Sequence, residues 1–123
     1  MKLLLDTHLF LWAIAEPDRI PREQRLRVES QANVVYVSSI SVAEIMIKAS
    51  IGKLAVDFDP VEQIAEAGFE PLAFTARDAL RLKALPFHHR DPFDRMLISQ
   101  SLETGIPILT HDAAFGRYDC HLA

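Results

Sequence analysis

Short apolar runs alternate with segments of helical periodicity along this chain, and that alternation limits the fold more than any other feature. Residues rich in leucine, β-branched or aromatic side chains predict strands at 2–5, 33–38, 70–74 and 107–110, with a last edge strand expected at 118–122. Capping residues, apolar spacing and glycine stops predict helices at 8–15, 22–31, 41–51, 59–67, 75–85 and 91–104. We therefore expect a three-layer α/β domain in which helices flank a mostly parallel central sheet.

The size and composition of the chain fit one globular domain over residues 1–123. Half of the residues (50%) are hydrophobic and 24% are charged, which is enough apolar material for a sizeable core. No internal repeat, low-complexity tract or linker divides the sequence.

The expected setting is the cytoplasm. Cys120 is the one cysteine of the chain, so the sequence offers neither an internal disulfide nor a spaced zinc-binding set. Asp6 and His8 interrupt the apolar N-terminal stretch, which we therefore interpret as a buried strand and helix and not as a signal peptide. No segment approaches the roughly 20 apolar residues that a membrane span needs, so no membrane association is expected.

Four acidic residues lie where apolar runs give way to predicted helices: Asp6, Glu44, Asp94 and Asp112. If these junctions share one edge of a parallel sheet, four carboxylates meet in one cleft. Such a cluster repels itself unless cations neutralise it. The pattern thus indicates a divalent-metal site that works on phosphates.

Each acid also fits an ordinary role at a helix start, where carboxylates accept backbone N–H bonds. Glu44 follows Ser41 by three residues and Asp94 follows Asp91 by three, which is capping-box spacing. Spacing alone therefore does not separate a site from a cap.

The expected direction of the side chains favours a site at three positions. Asp94 shares a helix face with Leu97 and Ile98, and Asp6 ends a strand too apolar to be exposed. Glu44 lies on the face of Ile40, Ile47 and Ile51. By contrast, Asp78 lies among arginines and predicts a surface cap. An inward carboxylate needs a partner or an ion, because burying it alone is costly.

Five segments together resemble the PIN-domain proteins: LLLDTHLFLW, VSSISVAEIMIK, IGKL, HHRDPFDRMLISQS and ILTHDAAFGRY. The resemblance covers nearly the whole chain, in the order and spacing of that family. Within the superfamily the chain is most similar to the VapC-type toxins of bacterial toxin-antitoxin modules.

The resemblance implies that Asp6, Glu44, Asp94 and Asp112 are the catalytic, metal-binding acids. It implies one or two Mg²⁺ or Mn²⁺ ions per subunit and hydrolysis of RNA phosphodiester bonds by a ribonuclease. Asp91 is a rival to Asp94, but it better suits the helix N-cap before Pro92.

Further residues are candidates for binding substrate. The basic run of His88, His89 and Arg90 precedes Asp94 and either holds an RNA backbone or belongs to a solvated loop; its position favours the binding role. Lys48, four residues after Glu44, either approaches a phosphate or forms a routine surface pair. The hydroxyl groups of Ser39 and Thr110 either position metal-bound water or cap neighbouring backbone.

The resemblance also implies a homodimer and a small VapB-like antitoxin whose peptide enters the acidic cleft. The net charge of −4 agrees with a basic inhibitory segment. One alternative is a catalytically inactive PIN-like scaffold that binds protein or RNA. Another is a phosphoacceptor receiver domain, but that fold needs adjacent acids after the first strand and a lysine before a late proline, whereas this chain has LLLDTH and IPILTHD.

Overall fold

A four-stranded parallel sheet forms the centre of the protein in a computed structural model, which describes residues 1–88, 90–112 and 115. The strands are β1 (Lys2–Leu5), β2 (Val34–Ser38), β3 (Glu70–Leu72) and β4 (Ile108–Leu109), and their order in the sheet is β3-β2-β1-β4. In register, Leu4 of β1 lies opposite Tyr36 of β2 and Ile108 of β4.

Helices cover both faces of this sheet, which confirms the predicted three-layer α/β class. They are α1 (Thr7–Ala15), α2 (Arg22–Glu29), α3 (Ser39–Ser50), α4 (Pro60–Glu66), α5 (Ala76–Leu80) and α6 (Pro92–Thr104). Short 3₁₀ helices occupy Pro17–Arg19 and Arg81–Lys83. Within the described residues, every helix falls short of the length and apolar character that a membrane span requires.

Alternate residues of the central strand β1 supply two separate cores. Leu3 and Leu5 pack with α1 and α4 on one face, and Leu4 packs with α6 on the other. All three leucines are completely buried. A strand buried on both faces is a continuous apolar run, as KLLL is, instead of an alternating pattern.

Helix α3 reaches both cores and thereby places its acid at the end of the sheet. Ile40 packs in the core of α6, and Ile45 packs in the core of α1. Glu44 lies next to Ile45 on the helix and is only 2% exposed.

The order in which the strands are added reverses direction between β1 and β4. The chain adds β2 and β3 on one side of β1 and then returns to place β4 on the other side. In open parallel sheets, ligands bind outside the carboxyl ends of the strands at such a reversal of order. Asp6 follows β1 and Thr110 follows β4, so both residues lie at this point.

The start of α3 differs from the expectation. Ser38, not Ser41, is the N-cap, and its hydroxyl accepts a 3.1 Å bond from the Ile40 amide. Glu44 points inward as predicted, but Ile47 and Ile51 of its assumed face are 48% and 60% exposed. The buried face of α3 consists of Ile40, Ser41, Glu44 and Ile45.

Asp78 is a cap, but the prediction that it lies at the surface is wrong. It forms a capping box with Thr75, whose amide donates to the Asp78 carboxylate at 2.8 Å. Asp78 is only 2% exposed, and Gln100 and Ser99 of α6 donate to its carboxylate and its carbonyl, respectively. Packing of α6 over α5 buries the residue.

The boundaries of α6 follow the sequence signals. Asp91 is the N-cap and accepts bonds from the amides of Phe93 (2.8 Å) and Asp94 (3.2 Å). Gly105 ends the helix with φ of 72°, a left-handed conformation that favours glycine. The edge strand expected at 118–122 lies outside the described residues.

Candidate active site

The Asp6 side chain is fixed at the end of β1 by uncharged donors. One carboxylate oxygen accepts a 2.7 Å bond from the Leu9 amide, so Asp6 is also the N-cap of α1. The Thr110 hydroxyl, from the end of β4, donates to the other oxygen. The residue is 3% exposed, and this burial raises the pKa of its carboxyl group, although both hydrogen bonds act in the opposite direction.

Glu44 is buried on α3 and is held by a charged partner. Its Oε2 lies 2.5 Å from Lys48 Nζ, and the lysine side chain is 34% exposed. Within the described part of the chain, the buried Oε1 atom of Glu44 has no hydrogen-bond partner. A buried carboxylate oxygen without a donor is unusual, because leaving such a group unsatisfied costs free energy.

Asp94 approaches the same region from the first turn of α6 and is 8% exposed, which confirms its predicted inward direction. The negative charges of Asp91 and Asp94 both act on Lys48. The hydrogen bond to Glu44 is the main cause that raises the pKa of Lys48, and the two aspartates add to it. Helices α3 and α6 therefore bring Glu44, Lys48 and Asp94 together.

A hydroxyl pair joins the Asp6 side of the site to α3. Thr7, the residue after Asp6, donates its hydroxyl to Ser41 Oγ at 2.9 Å, and both residues are buried. Ser41 precedes Glu44 by one helical turn. A pocket of about 190 Å³ opens here, lined by Thr7, His8, Leu11, Glu44, Ile45, Lys48, Lys53 and Leu54.

Asp112 is exposed, unlike the other three acids. Its amide donates a 3.0 Å bond to Thr110 Oγ1, which in turn donates to Asp6. The Asp112 charge adds to the upward shift in the pKa of Asp6. Asp112 thus lies beside Asp6, but at the solvent boundary.

The described contacts link the acids in two pairs: Asp6 with Asp112 through Thr110, and Glu44 with Asp94 through the charge of Lys48. Among residues 1–88, 90–112 and 115, no three carboxylate, imidazole or thiol groups are already grouped to hold a metal ion. The donor chemistry nevertheless fits a hard cation, because carboxylate oxygens are the ligands that Mg²⁺ and Mn²⁺ prefer.

The predicted substrate-binding residues have different surroundings. Lys48 forms the ion pair with Glu44, and Ser39 caps neighbouring backbone by accepting a 3.0 Å bond from the Phe74 amide. His88 and Arg90 are exposed. His89 lies outside the described residues. The assignment of all these residues to RNA binding stays a prediction.

Sequence reasoning missed one contact to the site. Gln24 of α2 donates a 2.8 Å bond from its side chain to the Thr110 carbonyl, 86 positions away in sequence. Because α2 is a charged helix of the predicted exposed type, no local signal distinguished this glutamine. A larger groove, about 770 Å³, lies between α3, α4 and β3, and none of the four acids lines it.

A family model described as the PIN domain matches residues 3–119. The chain belongs to the PIN-domain family. A search of the curated proteins finds no significant match.

Solved structures share this PIN fold over almost their whole length at low identity. The toxin-antitoxin complex VapBC2 from Rickettsia felis, bound to a DNA fragment from its promoter, has a chain with a TM-score of 0.72 and 17% identity, covering 99% of this chain and 96% of that one. DNA-bound VapBC from Salmonella typhimurium has a chain with a TM-score of 0.66 and 17% identity, and the match covers 99% of this chain and 96% of that one. FitAcB from Neisseria gonorrhoeae has a chain with a TM-score of 0.60 and 20% identity, and the match covers 98% of this chain and 95% of that one. The predicted family and fold are confirmed.

Proposed function

We propose that this PIN-domain protein is a metal-dependent ribonuclease that hydrolyses RNA phosphodiester bonds, and that it is the toxin of a toxin-antitoxin pair that inhibits translation and growth. The observation that carries the proposal is the buried carboxylate of Glu44, one oxygen of which has no hydrogen-bond partner among the described residues, in a chain whose predicted metal-binding acids Asp6 and Asp94 are also buried. Structural carboxylates are normally satisfied, whereas metal-binding ones keep an oxygen available.

Asp6, Glu44 and Asp94 would hold one or two Mg²⁺ or Mn²⁺ ions, with Asp112 at the solvent side as an outer or second-ion ligand. When bound, such an ion lowers the pKa of a coordinated water and offsets negative charge on the scissile phosphate. The family match and the oxygen donor set support this assignment.

The protein groups supply orientation and proton handling. Thr110 and the Leu9 amide fix the direction of the Asp6 carboxylate, so that its oxygens do not rotate away. Glu44 is either a ligand of the ion or, in place of that role, the group that orients the attacking water and accepts its proton. Arg90 and His88 would hold the RNA backbone, with Lys48, Ser39, Thr110 and His89 as further candidates.

A small VapB-like antitoxin is the proposed partner, since chains of VapBC complexes share the fold. A basic antitoxin segment would suit the acidic edge of the sheet. We also propose a homodimer, because exposed apolar side chains are present on α3, at its C-cap and on α4: Met46 (40%), Ile47 (48%), Ile51 (60%) and Val61 (63%). The proposed location is the cytoplasm.

The decisive experiment is RNA cleavage by the purified chain with added Mg²⁺ or Mn²⁺. Cleavage should stop with a chelator and fall sharply in Asp94→Asn, whose fold is checked by circular dichroism. Asp59→Asn is the matched control, because Asp59 is the N-cap of α4 and asparagine caps a helix equally well. Equal cleavage by the wild type and Asp94→Asn would falsify the assignment.

The second candidate is an inactive PIN scaffold that binds protein or RNA. The absence of a ready-made trio of ligands among the described residues favours it. Growth after expression separates the two functions. Growth inhibition that disappears in Asp94→Asn supports the ribonuclease, and inhibition that persists supports the scaffold.

A further inference from the structure

The ion pair of Glu44 and Lys48 differs from an ordinary pair on a helix surface. Arg27 and Glu23 have the same i,i+4 spacing, but their charged atoms are 3.8 Å apart and their side chains are 40% and 87% exposed. In the Glu44 pair the distance is 2.5 Å and the carboxylate is only 2% exposed. Exposed pairs contribute little stability, whereas removing the partner of a buried charge is costly.

The environment of Lys48 is acidic on more than one side. Besides Glu44 on its own helix, Asp91 and Asp94 at the start of α6 act on its ammonium group. Two of these carboxylates, Glu44 and Asp94, are ones that the proposed function assigns to a divalent ion, and the positive charge of Lys48 already offsets part of the repulsion between them.

We infer that Lys48 is a built-in competitor of the catalytic metal ion, holding Glu44 until a divalent cation displaces its ammonium group. This inference rests on the proposed metal centre. The two oxygens of one carboxylate are neighbours, so an ion on Oε1 lies within a few ångströms of an ammonium group on Oε2. Two cations at that separation repel each other strongly in a partly buried site.

The structure provides space for the displaced side chain. Lys48 lines the pocket of about 190 Å³ and is 34% exposed, so its flexible stem has room to withdraw from Glu44. Lys53 lines the same pocket from the chain beyond α3. Withdrawal leaves Glu44 available to the ion without unfolding α3.

The test measures Mn²⁺ affinity of the metal-stripped full chain by titration calorimetry, with thermal melting as a second readout. Lys48→Met should bind Mn²⁺ roughly tenfold more tightly, the size expected when one charge-assisted bond no longer has to be broken. The rise in melting temperature on adding Mn²⁺ should also be larger than in the wild type.

Two further variants isolate the cause. Lys53→Met removes a positive charge from the same pocket without touching the Glu44 pair, and its affinity should change by less than about threefold. Lys48→Gln replaces Lys48→Met if the latter does not fold, and the same tightening is expected. If Lys53→Met increases the Mn²⁺ affinity by the same factor, the effect comes from the general electrostatic field of the pocket, and the proposed competition by Lys48 is wrong.

The outcomes separate this inference from the proposed function. If the wild type binds no Mn²⁺, the proposed metal centre fails and the inference fails with it. If the wild type binds Mn²⁺ and Lys48→Met binds it no more tightly, only the inference fails. Weaker RNA binding by Lys48→Met at unchanged Mn²⁺ affinity would make Lys48 a phosphate contact instead.

Discussion

Asp6 and Glu44 are buried to nearly the same degree, 3% and 2% exposed, yet the protein stabilises them in different ways. Asp6 receives its hydrogen bonds from a backbone amide and a threonine hydroxyl, both uncharged. Glu44 receives its bond from the ammonium group of Lys48. One carboxylate is therefore positioned without a counter-charge, and the other has a counter-charge on a movable side chain.

The difference follows from where the two acids lie. Asp6 joins β1 to α1 at the centre of the sheet, where the Leu9 amide and the adjacent strand β4 supply donors that cannot leave. Glu44 lies in the middle of α3, where the backbone amides are already bonded within the helix. Its partner must therefore be a side chain. In this protein the carboxylate at the strand end is held by fixed donors, whereas the carboxylate on the helix face is neutralised by a side chain that can move.

The largest expected effect comes from removing the charge of Asp6. Asp6→Asn should lower RNA cleavage by at least about 100-fold, because a ligand should matter more than a supporting group. The amide retains a carbonyl oxygen for the Leu9 N–H bond, so α1 should remain capped. Cleavage of a labelled RNA measures the loss, and circular dichroism checks the fold. Activity within tenfold of the wild type would remove Asp6 from the site.

A smaller effect is expected from the group that positions Asp6. Thr110→Val keeps the shape of the side chain but removes the hydroxyl that bonds Asp6 and accepts from the Asp112 amide. Cleavage should fall roughly 10- to 100-fold, as for other groups that orient ligands. Thr104→Val is the matched control, because that hydroxyl bonds the Gln100 carbonyl within α6. An equal loss in both variants would indicate a general structural effect.

The pH dependence of stability tests whether the buried charge of Asp6, which has only uncharged donors, opposes folding. The pKa of Asp6 is raised in the folded protein above its ordinary value of 3.8, mainly by burial. Its contribution to stability is therefore fully present below 3.8 and is lost as the pH rises through the folded-state pKa. Asp6→Asn cannot lose a proton, so its melting temperature should exceed that of the wild type at neutral pH.

The melting-temperature difference between Asp6→Asn and the wild type should shrink as the pH falls towards 3.8. Thermal melts of the metal-stripped proteins across this range measure it. Asp59→Asn, at an exposed N-cap, gives the baseline for a change from aspartate to asparagine. A difference independent of pH would show that the Asp6 charge does not oppose folding.

Local patterns predicted the strand and helix order because each signal depends on neighbouring residues. The KLLL strand, the Asp91 cap before Pro92 and the Gly105 stop all occur as expected. The inward direction of Asp94 followed from helical periodicity, whereas Glu44 is buried although Ile47 and Ile51 of its predicted face are exposed. The choice of cap was harder, since three serines in VSSIS were equivalent by composition and only packing selected Ser38.

Long-range contacts were the part that sequence did not reveal. Asp78 was expected at the surface because arginines surround it locally, but α6 covers it from the far side of the sequence. The exposure of Ile47 and Ile51 likewise depends on how α3 is rotated between the two cores. The same limit applies to Thr110, whose bond to Asp6 spans 104 positions.

The smallest expected effect concerns Gln24, which supports the Asp6 side of the site from a distance. Its side chain donates a 2.8 Å bond to the Thr110 carbonyl, so it joins α2 to the residue that follows β4. Gln24→Leu should lower the free energy of unfolding by about 1 kcal/mol, the usual contribution of one such hydrogen bond. Cleavage should fall only a few-fold, since Thr110 keeps its own hydroxyl contact.

Denaturant unfolding measures the free energy of unfolding. Gln63→Leu on α4 is the control for the same side-chain change at a partly buried helix position. If Gln24→Leu leaves stability and cleavage unchanged, the position of Asp6 depends on the sheet alone. Asp6 would then be held by the backbone of the sheet, whereas Glu44 is held by the side chain of Lys48.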